Sequence, residues 1–381
     1  VFKNFINGKW IDSESGQTFE NRNPANTDEL IGLFQKSTPN DVKRAIDAAA
    51  EAYKKWRLYP APKRGELLFK LAEDILAHKE DYSRDMTREM GKAIAETRGD
   101  VQEAIDMTFY MAGEGRRLFG MTTPSELANK FNMTVRQPLG VCSFITPWNF
   151  PMAIPAWKMM PALICGNTIV IKPATDTPLS VVNLMKSCER VGIPAGVVNL
   201  MTGPGGPLSD ALIGDDRVRV VSFTGSTEIG RKVSMSCAAK FKHACLEMGG
   251  KNVQIVMDDG DLELAVEGAL WGAFGTTGQR CTATSRLICH KSVVDKISGM
   301  LAERASKIKV GNGLEDSVQM GPCANKAQLD TVLSYIEIGK NEGAALLSGG
   351  KRLTGGAYDK GFFVQPTIFG KVTQSMRLWR E

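Results

Sequence analysis

Histidine is scarce in this 381-residue chain, which holds only His78, His243 and His290. Its eight cysteines form no C-x-x-C pair, so no zinc-ligand cluster of ordinary spacing can be drawn and no metal is expected. Charge imbalance is missing too. Lys and Arg number 47 against 42 Asp and Glu, a net of +5 spread evenly along the chain. That balance argues against a nucleic-acid or membrane-surface partner, although slight basicity suits an anionic ligand. The run from Gln137 to Trp157 carries no charge, yet Pro138, Pro147, Pro151 and Pro155 would break a spanning helix there, so it reads as buried soluble structure. The opening VFKNFINGKW lacks a basic region followed by an apolar one, although a start at Val1 suggests that something upstream was removed. Neither an internal repeat nor a low-complexity linker is visible.

What is present is ample apolar material, 43% of residues, in a chain long enough for two or three domains. Cysteines in such a chain read as reduced thiols, which points to a cytoplasmic compartment. Before about residue 118 the pattern is mainly helical. Thr38-Pro39-x-Asp41, followed by Val42, Ile46, Ala49, Tyr53 and Trp56, predicts a capped amphipathic helix. Further helical runs cover Glu66 to His78 and Lys92 to Phe109, the last ended by Ala112-Gly-Glu-Gly115. FNMTVRQP (131–138) alternates like a strand and reads as half of a projecting hairpin.

From residue 141 the rhythm changes. Apolar runs at 141–146, 168–172, 197–201 and 218–224 are separated by helix-length segments, which predicts an α/β fold with a Rossmann-like parallel sheet. A second α/β region begins near Gly249, with strands at 253–257 and 285–289 around a helix over Leu262 to Phe274. Ligands of such sheets bind beyond the carboxyl ends of the strands, so the informative segments are those after each run. They are Thr146-Pro-Trp-Asn149, Lys172-Pro-Ala-Thr175, Thr202-Gly-Pro-Gly205 and Gly225-Ser-Thr-Glu-Ile-Gly230.

FTGSTEIGRK (223–232) sets glycines five apart at a helix start, a place that favours phosphate. It falls short of a P-loop, because Gly230 is followed by Arg231 and Lys232 and no Mg²⁺-binding hydroxyl comes next. Gly203 and Gly205 do not complete a G-x-G-x-x-G, since Leu208 occupies the last position. These glycines serve equally well as turn-formers. Cys281, in a small-residue stretch with Arg280 beside it to favour thiolate, is the best candidate nucleophile. The other seven cysteines read as small buried hydrophobes. With so few histidines, a base would be a carboxylate. Glu247 stands alone in the apolar, glycine-rich LEMGGK, surroundings that raise a carboxyl pKa, although a capped or paired turn residue fits the same pattern.

TPWNFP (146–151), IKPATDTP (171–178), FTGSTEIG (223–230), LEMGGKN (246–252), FGTTGQRCTA (274–283), MGP (320–322) and FFVQPTIF (362–369) fall in one order. Together they resemble the NAD(P)-dependent aldehyde dehydrogenase superfamily over essentially the whole chain. GQRCTATSR and SYIEIGKNEGA resemble its 2-oxoglutarate-semialdehyde branch. The resemblance implies that Cys281 attacks the aldehyde and that the Asn149 amide and the Cys281 N–H meet the oxyanion. It implies that Glu247 activates the water that hydrolyses the thioester. CoA-acylating relatives lack that Glu.

For the cofactor, the resemblance places Lys172 and Thr175 near the adenine ribose and Ser226 and Trp148 near the pyrophosphate, with Gly203 and Gly225 allowing close approach. Many NAD-selective relatives have Glu where Thr175 stands, so NADP is expected to be accepted as well as NAD. Phe150, Ile154 and Trp157, all apolar, would wall the aldehyde channel, with a contribution from Arg280; some semialdehyde enzymes carry Arg where Trp157 stands, so an aliphatic or aromatic aldehyde is open as substrate beside a semialdehyde such as 2-oxoglutarate semialdehyde. The implied domains are a cofactor-binding domain over 1–118 and 139–248, an oligomerisation hairpin over 119–138, and a catalytic domain over 249–381. Family sequences continue past Glu381 into an E-x-F-G-P segment, so the chain reads as a fragment of an enzyme that is a homodimer or homotetramer when full length. Two other readings stand beside this one. A non-catalytic binding or structural relative would need no Cys281, Glu247 or Asn149, and a P-loop NTPase would need Mg²⁺-dependent hydrolysis.

Overall fold

The computed structural model describes residues 1–381. It begins with short antiparallel strands β1 (Asn4–Ile6) and β2 (Lys9–Ile11), then a ribbon of β3 (Thr18–Asn23) and β4 (Asn26–Gln35). Helix α1 (Pro39–Trp56) starts where its spacing predicts. The Thr38 hydroxyl accepts from the Asp41 N–H, and the Asp41 carboxylate accepts from the Thr38 N–H at 3.0 Å, a reciprocal cap. Helix α2 (Ala61–Ala77) begins a turn earlier than its apolar pattern, because Pro62 is accommodated in the first turn, where no N–H is needed. Helix α3 (Lys79–Met90) was not expected from the sequence; Tyr82, Met86 and Met90 bury one face at four-residue spacing. Helix α4 (Ile94–Glu114) ends in the glycine-rich segment that the sequence marked.

A small hairpin follows, in which β5 (Thr122–Pro124) pairs antiparallel with β6 (Phe131–Met133). The alternating sequence 131–138 contributes only its first three residues as strand. The α/β series then runs β7 (Val141–Ile145), α5 (Ala153–Ile164), β8 (Thr168–Lys172), α6 (Pro178–Arg190), β9 (Val198–Leu200), α7 (Gly205–Gly214), β10 (Val218–Gly225), α8 (Thr227–Ala238) and β11 (His243–Met248). Every residue of β7 and β8 is buried, as expected of strands covered on both faces. The sheet order is β11-β10-β7-β8-β9-β1-β2, with β10, β7, β8 and β9 parallel and β1 antiparallel to β9. Val42, Ile46 and Ala49 of α1, Leu208 and Leu212 of α7 and Val233 of α8 pack with Val141, Val170 and Val221 of the sheet in one core.

Beyond it lie β12 (Asn252–Val256), α9 (Leu262–Phe274), β13 (Thr284–Cys289), α10 (Val294–Ser306), α11 (Lys326–Asn341), β14 (Ala345–Ser348) and β15 (Ile368–Gly370). Strands β12 and β13 are parallel, with Ile255 opposite Ile288, and α9 is capped by the Asp261 carboxylate. The chain divides into two compact units. One is Val1–Glu20, Gly32–Tyr82 and Gly99–Glu247; the other is Asn21–Ile31, Ser83–Arg98 and Met248–Glu381. The second therefore takes in two early segments that carry no mark in the sequence. No helix is long and apolar enough to cross a membrane.

Candidate active site

In the first unit, the succession β7, β8, β9 steps away on one side of β7 while β10 returns to pair on the other. The carboxyl ends of β7 and β10 therefore flank the point at which the winding reverses, the position where open α/β sheets take their ligands. The residues that follow β7 are Thr146, which is buried and donates its N–H to the Lys172 carbonyl at 3.2 Å, and the half-buried Trp148, Asn149 and Phe150. After β10, Ser226 caps α8 by accepting from the Ile229 N–H at 3.3 Å. The remaining first-turn amides and the positive end of the helix form an anion-favouring surface.

Lys172 closes β8 with its ammonium turned inward, donating to the carbonyls of Pro173 at 2.8 Å and Gly203 at 3.2 Å. Burial pulls its pKa down to about 8, against an opposing pull from Asp176. Thr175 is half-buried in the loop beyond. Gly203 has a φ of 146°, and a Cβ there would stand 2.8 Å from Leu208, so neither its conformation nor its space admits a side chain.

Sequence reasoning missed Lys158, on α5. Its ammonium donates to the Ser222 hydroxyl on β10 at 2.7 Å. Burial lowers its pKa to about 8, opposed by the charges of Glu247 and Cys245. A signal was available, since Lys158 is the one charged residue between Arg136 and Lys172. Of the residues assigned to the channel, Phe150 stacks on Trp157 with centroids 6.4 Å apart, and Trp157 stays accessible. Ile154, by contrast, is buried.

Two expectations are corrected here. Glu247 lies not in a turn but in β11, and it is exposed. Cys245 is exposed as well and Cys165 and Cys289 are half-buried, unlike the buried Cys142, Cys188, Cys237 and Cys323. Glu247 and Cys245 both lie on β11, the edge strand of the sheet. The thiols of Cys142, Cys188 and Cys323 are pushed up to about 12 by burial, which keeps them inert.

In the second unit, Cys281 is exposed at the end of a constrained loop that leaves α9. Thr276 (φ 54°), Thr277 (φ 58°) and Gly278 (φ 70°) stand consecutively in the left-handed region. For the two β-branched residues this is a strain of about 1–3 kcal/mol each. The loop is tied from several directions. The Thr276 N–H donates to Glu96 Oε1 at 2.5 Å, and the Thr277 hydroxyl donates to the Gly321 carbonyl at 2.9 Å. Gln279 donates to the Thr276 carbonyl at 3.1 Å and accepts from the Ala324 N–H at 2.9 Å. The Asn252 amide donates to the carbonyls of Cys281 and Ala283, at 2.6 and 3.0 Å. Arg280 donates to the carbonyls of Trp271 and Gly272, and its guanidinium lies 4.1 Å from the Trp271 ring centroid. Those bonds turn Arg280 back onto the end of α9.

The Aldehyde dehydrogenase family matches residues 10–381 of this chain. The chain is 46% identical over 381 residues to the alpha-ketoglutaric semialdehyde dehydrogenase of Bacillus subtilis, covering 100% of this chain and 78% of that protein. It is 43% identical over 375 residues to the 2,5-dioxopentanoate dehydrogenase of Saccharolobus solfataricus, covering 98% of this chain and 77% of that one. Among solved structures, betaine aldehyde dehydrogenase from Staphylococcus aureus in complex with NAD+ superposes with a TM-score of 0.98 at 35% identity, over 100% of this chain and 76% of its own.

Proposed function

This chain belongs to the aldehyde dehydrogenase family, and on that premise we propose that it oxidises a short semialdehyde with a distal carboxylate, of the 2-oxoglutarate semialdehyde type, to the dicarboxylic acid. The observation that carries this reading is the exposed thiol of Cys281, at the end of a strained and heavily tied loop, in a chain this similar to a semialdehyde dehydrogenase. The cofactor is NADP or NAD. The donors at the carboxyl ends of β8 and β10 suit it: the α8 amides and Ser226 for pyrophosphate, a part also assigned to Trp148, and Lys172 and Thr175 for the adenine ribose. When bound, the nicotinamide supplies the hydride acceptor.

The chain's own residues divide the remaining work. The Cys281 thiolate adds to the aldehyde carbon, forming a C–S bond as the carbonyl electrons move onto oxygen. Donors from the Asn149 amide and the Cys281 N–H hold that oxyanion, each worth about 10²–10³ in rate. Once the carbon is oxidised to the thioester level, Glu247 accepts a proton from water. The resulting hydroxide attacks, and the C–S bond breaks to restore the thiolate. Exposure of Glu247 suits a base that must reach bulk water.

Exposed Phe119, Met121, Phe131, Met133 and Val135 on and beside the β5–β6 hairpin support its use in a homodimer or homotetramer. Eight free cysteines favour a cytoplasmic setting. The test is a kinetic panel of aliphatic, aromatic and carboxylated aldehydes, run beside Cys281→Ala. The expected result is the highest kcat/KM for ω-carboxylated aldehydes and no turnover by the variant. Equal kcat/KM across the panel overturns the substrate class. Residual turnover within about tenfold of wild type overturns the nucleophile.

A further inference from the structure

The loop before Cys281 poses a question that its own sequence does not answer. Two β-branched residues, Thr276 and Thr277, occupy left-handed backbone that Gly or Asn would adopt more readily. Most ties on the loop use neutral groups, namely the Gly321 and Pro322 carbonyls, the Gln279 amide and the Asn252 amide. The exception is Glu96. Its Oε1 accepts from the Thr276 N–H at 2.5 Å and from the Thr276 hydroxyl at 3.4 Å. Both groups belong to the residue at which the left-handed turn begins.

Glu96 belongs to the first turn of α4, where the helix dipole favours an anion. It is held close, because a Cβ on Gly275 would stand 3.2 Å from Glu96 Oε1 and 3.2 Å from the Arg280 guanidinium. The carboxylate, Gly275 and the guanidinium are thus stacked without room to spare. Burial raises the Glu96 pKa, and Thr276, Lys92 and Arg280 act against that rise. A half-buried carboxylate that accepts from a strained backbone amide is a costly arrangement to maintain, and a functional site is where such arrangements collect.

We propose that Glu96 is a positioning residue of the reaction: its carboxylate fixes the left-handed turn at Thr276 and Thr277 and so aims the Cys281 thiol at the aldehyde carbon. Glu96 does not touch substrate in this role. It acts through the Thr276 N–H, and the proposal rests on Cys281 being the nucleophile. What the reaction needs from it is an oxygen acceptor at that amide rather than a proton carrier.

The experiment compares Glu96→Gln, which keeps a carbonyl oxygen, with Glu96→Leu, which keeps the bulk and removes the acceptor. Each is made alone and with Thr276→Gly, in the enzyme assayed with its aldehyde and cofactor. For Glu96→Leu the expected result is a kcat lower by roughly 10²-fold, the scale of a misplacement of about 1 Å, with KM for the cofactor unchanged. Alkylation of Cys281 by iodoacetamide should slow in parallel. Glu96→Gln should remain within about threefold of wild type. A glycine at 276 needs no clamp to stay left-handed, so the double variant Glu96→Leu/Thr276→Gly should recover at least about tenfold over Glu96→Leu alone.

The proposal is overturned if Glu96→Leu keeps wild-type kcat, or if the two substitutions at 276 and 96 are simply additive. A Glu96→Gln kcat as low as that of Glu96→Leu also overturns it, and this arm stands even where the leucine variant does not fold. Cys281→Ala, run in the same assay, separates the two readings. Turnover by that variant removes the nucleophile, whereas an inactive Cys281→Ala beside an unaffected Glu96→Leu removes only the positioning role.

Discussion

Lys158 on α5 donates to the hydroxyl of Ser222 on β10 at 2.7 Å, joining the helix after one central strand to the strand on which the winding reverses. Burial takes its pKa from 10.5 to about 8, so between those values the unfolded chain binds a proton that the folded chain has released. Stability contributed by this group therefore rises with pH across that window, and the burial penalty is fully present below about pH 8. Lys158→Met should raise the urea midpoint more at pH 7.5 than at pH 10. Equal gains at both values would show that the lysine is not depressed.

Glu247→Gln should spare the first hydride transfer and slow thioester hydrolysis by roughly 10²–10⁴. The expected trace is a burst of reduced cofactor followed by a slow steady state. Loss of the burst would reassign Glu247 to the first half-reaction.

Thr175→Glu should shift preference toward NAD, because a carboxylate there would repel a 2′-phosphate. The measurement is the ratio of kcat/KM for the two cofactors. An unchanged ratio means that the 2′ position is read by other residues, Lys172 or Asp176 first among them.

Thr38→Ala should cost about 1 kcal/mol of stability through loss of the α1 cap, with kcat unaffected. The Thr38 hydroxyl also donates to Glu14 at 2.6 Å, so a loss well above that figure would show the Glu14 bond to matter as well. Chemical denaturation with an activity assay on the same samples separates the two effects.

The central strands were legible because burial on both faces forces apolar runs, and VCSFI and TIVIK have few other uses. Helix α9 was legible to the residue, since Asp261 caps it and Gly275 ends it. Helix α3 escaped because the apolar part of its buried face is only Tyr82, Met86 and Met90, and the polar Ser83, Thr87 and Glu89 are buried beside them. Cys281, Asn149 and Glu247 are candidates that residue type and motif order mark in the sequence. Lys158 left one signal, a single charge in an otherwise uncharged run, whereas Glu96 left none, because what distinguishes it is the left-handed amide it faces. Local preference also misleads at Thr276 and Thr277, where long-range bonds override a β-branched residue's aversion to positive φ.

The position of β10 bears on the order in which the first unit assembles. Strands β7, β8 and β9 are neighbours in the sheet and successive in the chain, so each pairing closes a short crossover. Strand β10 must pass over all of them to reach β7, and the entropy of that larger loop is met before any pairing energy is returned. Pulse-labelled hydrogen exchange during refolding should therefore find the β8 amides protected before those of β10. The crevice at the carboxyl ends of β7 and β10 then forms only after the β7–β8 pairing, and a nascent chain cannot close it until Gly225 has been made.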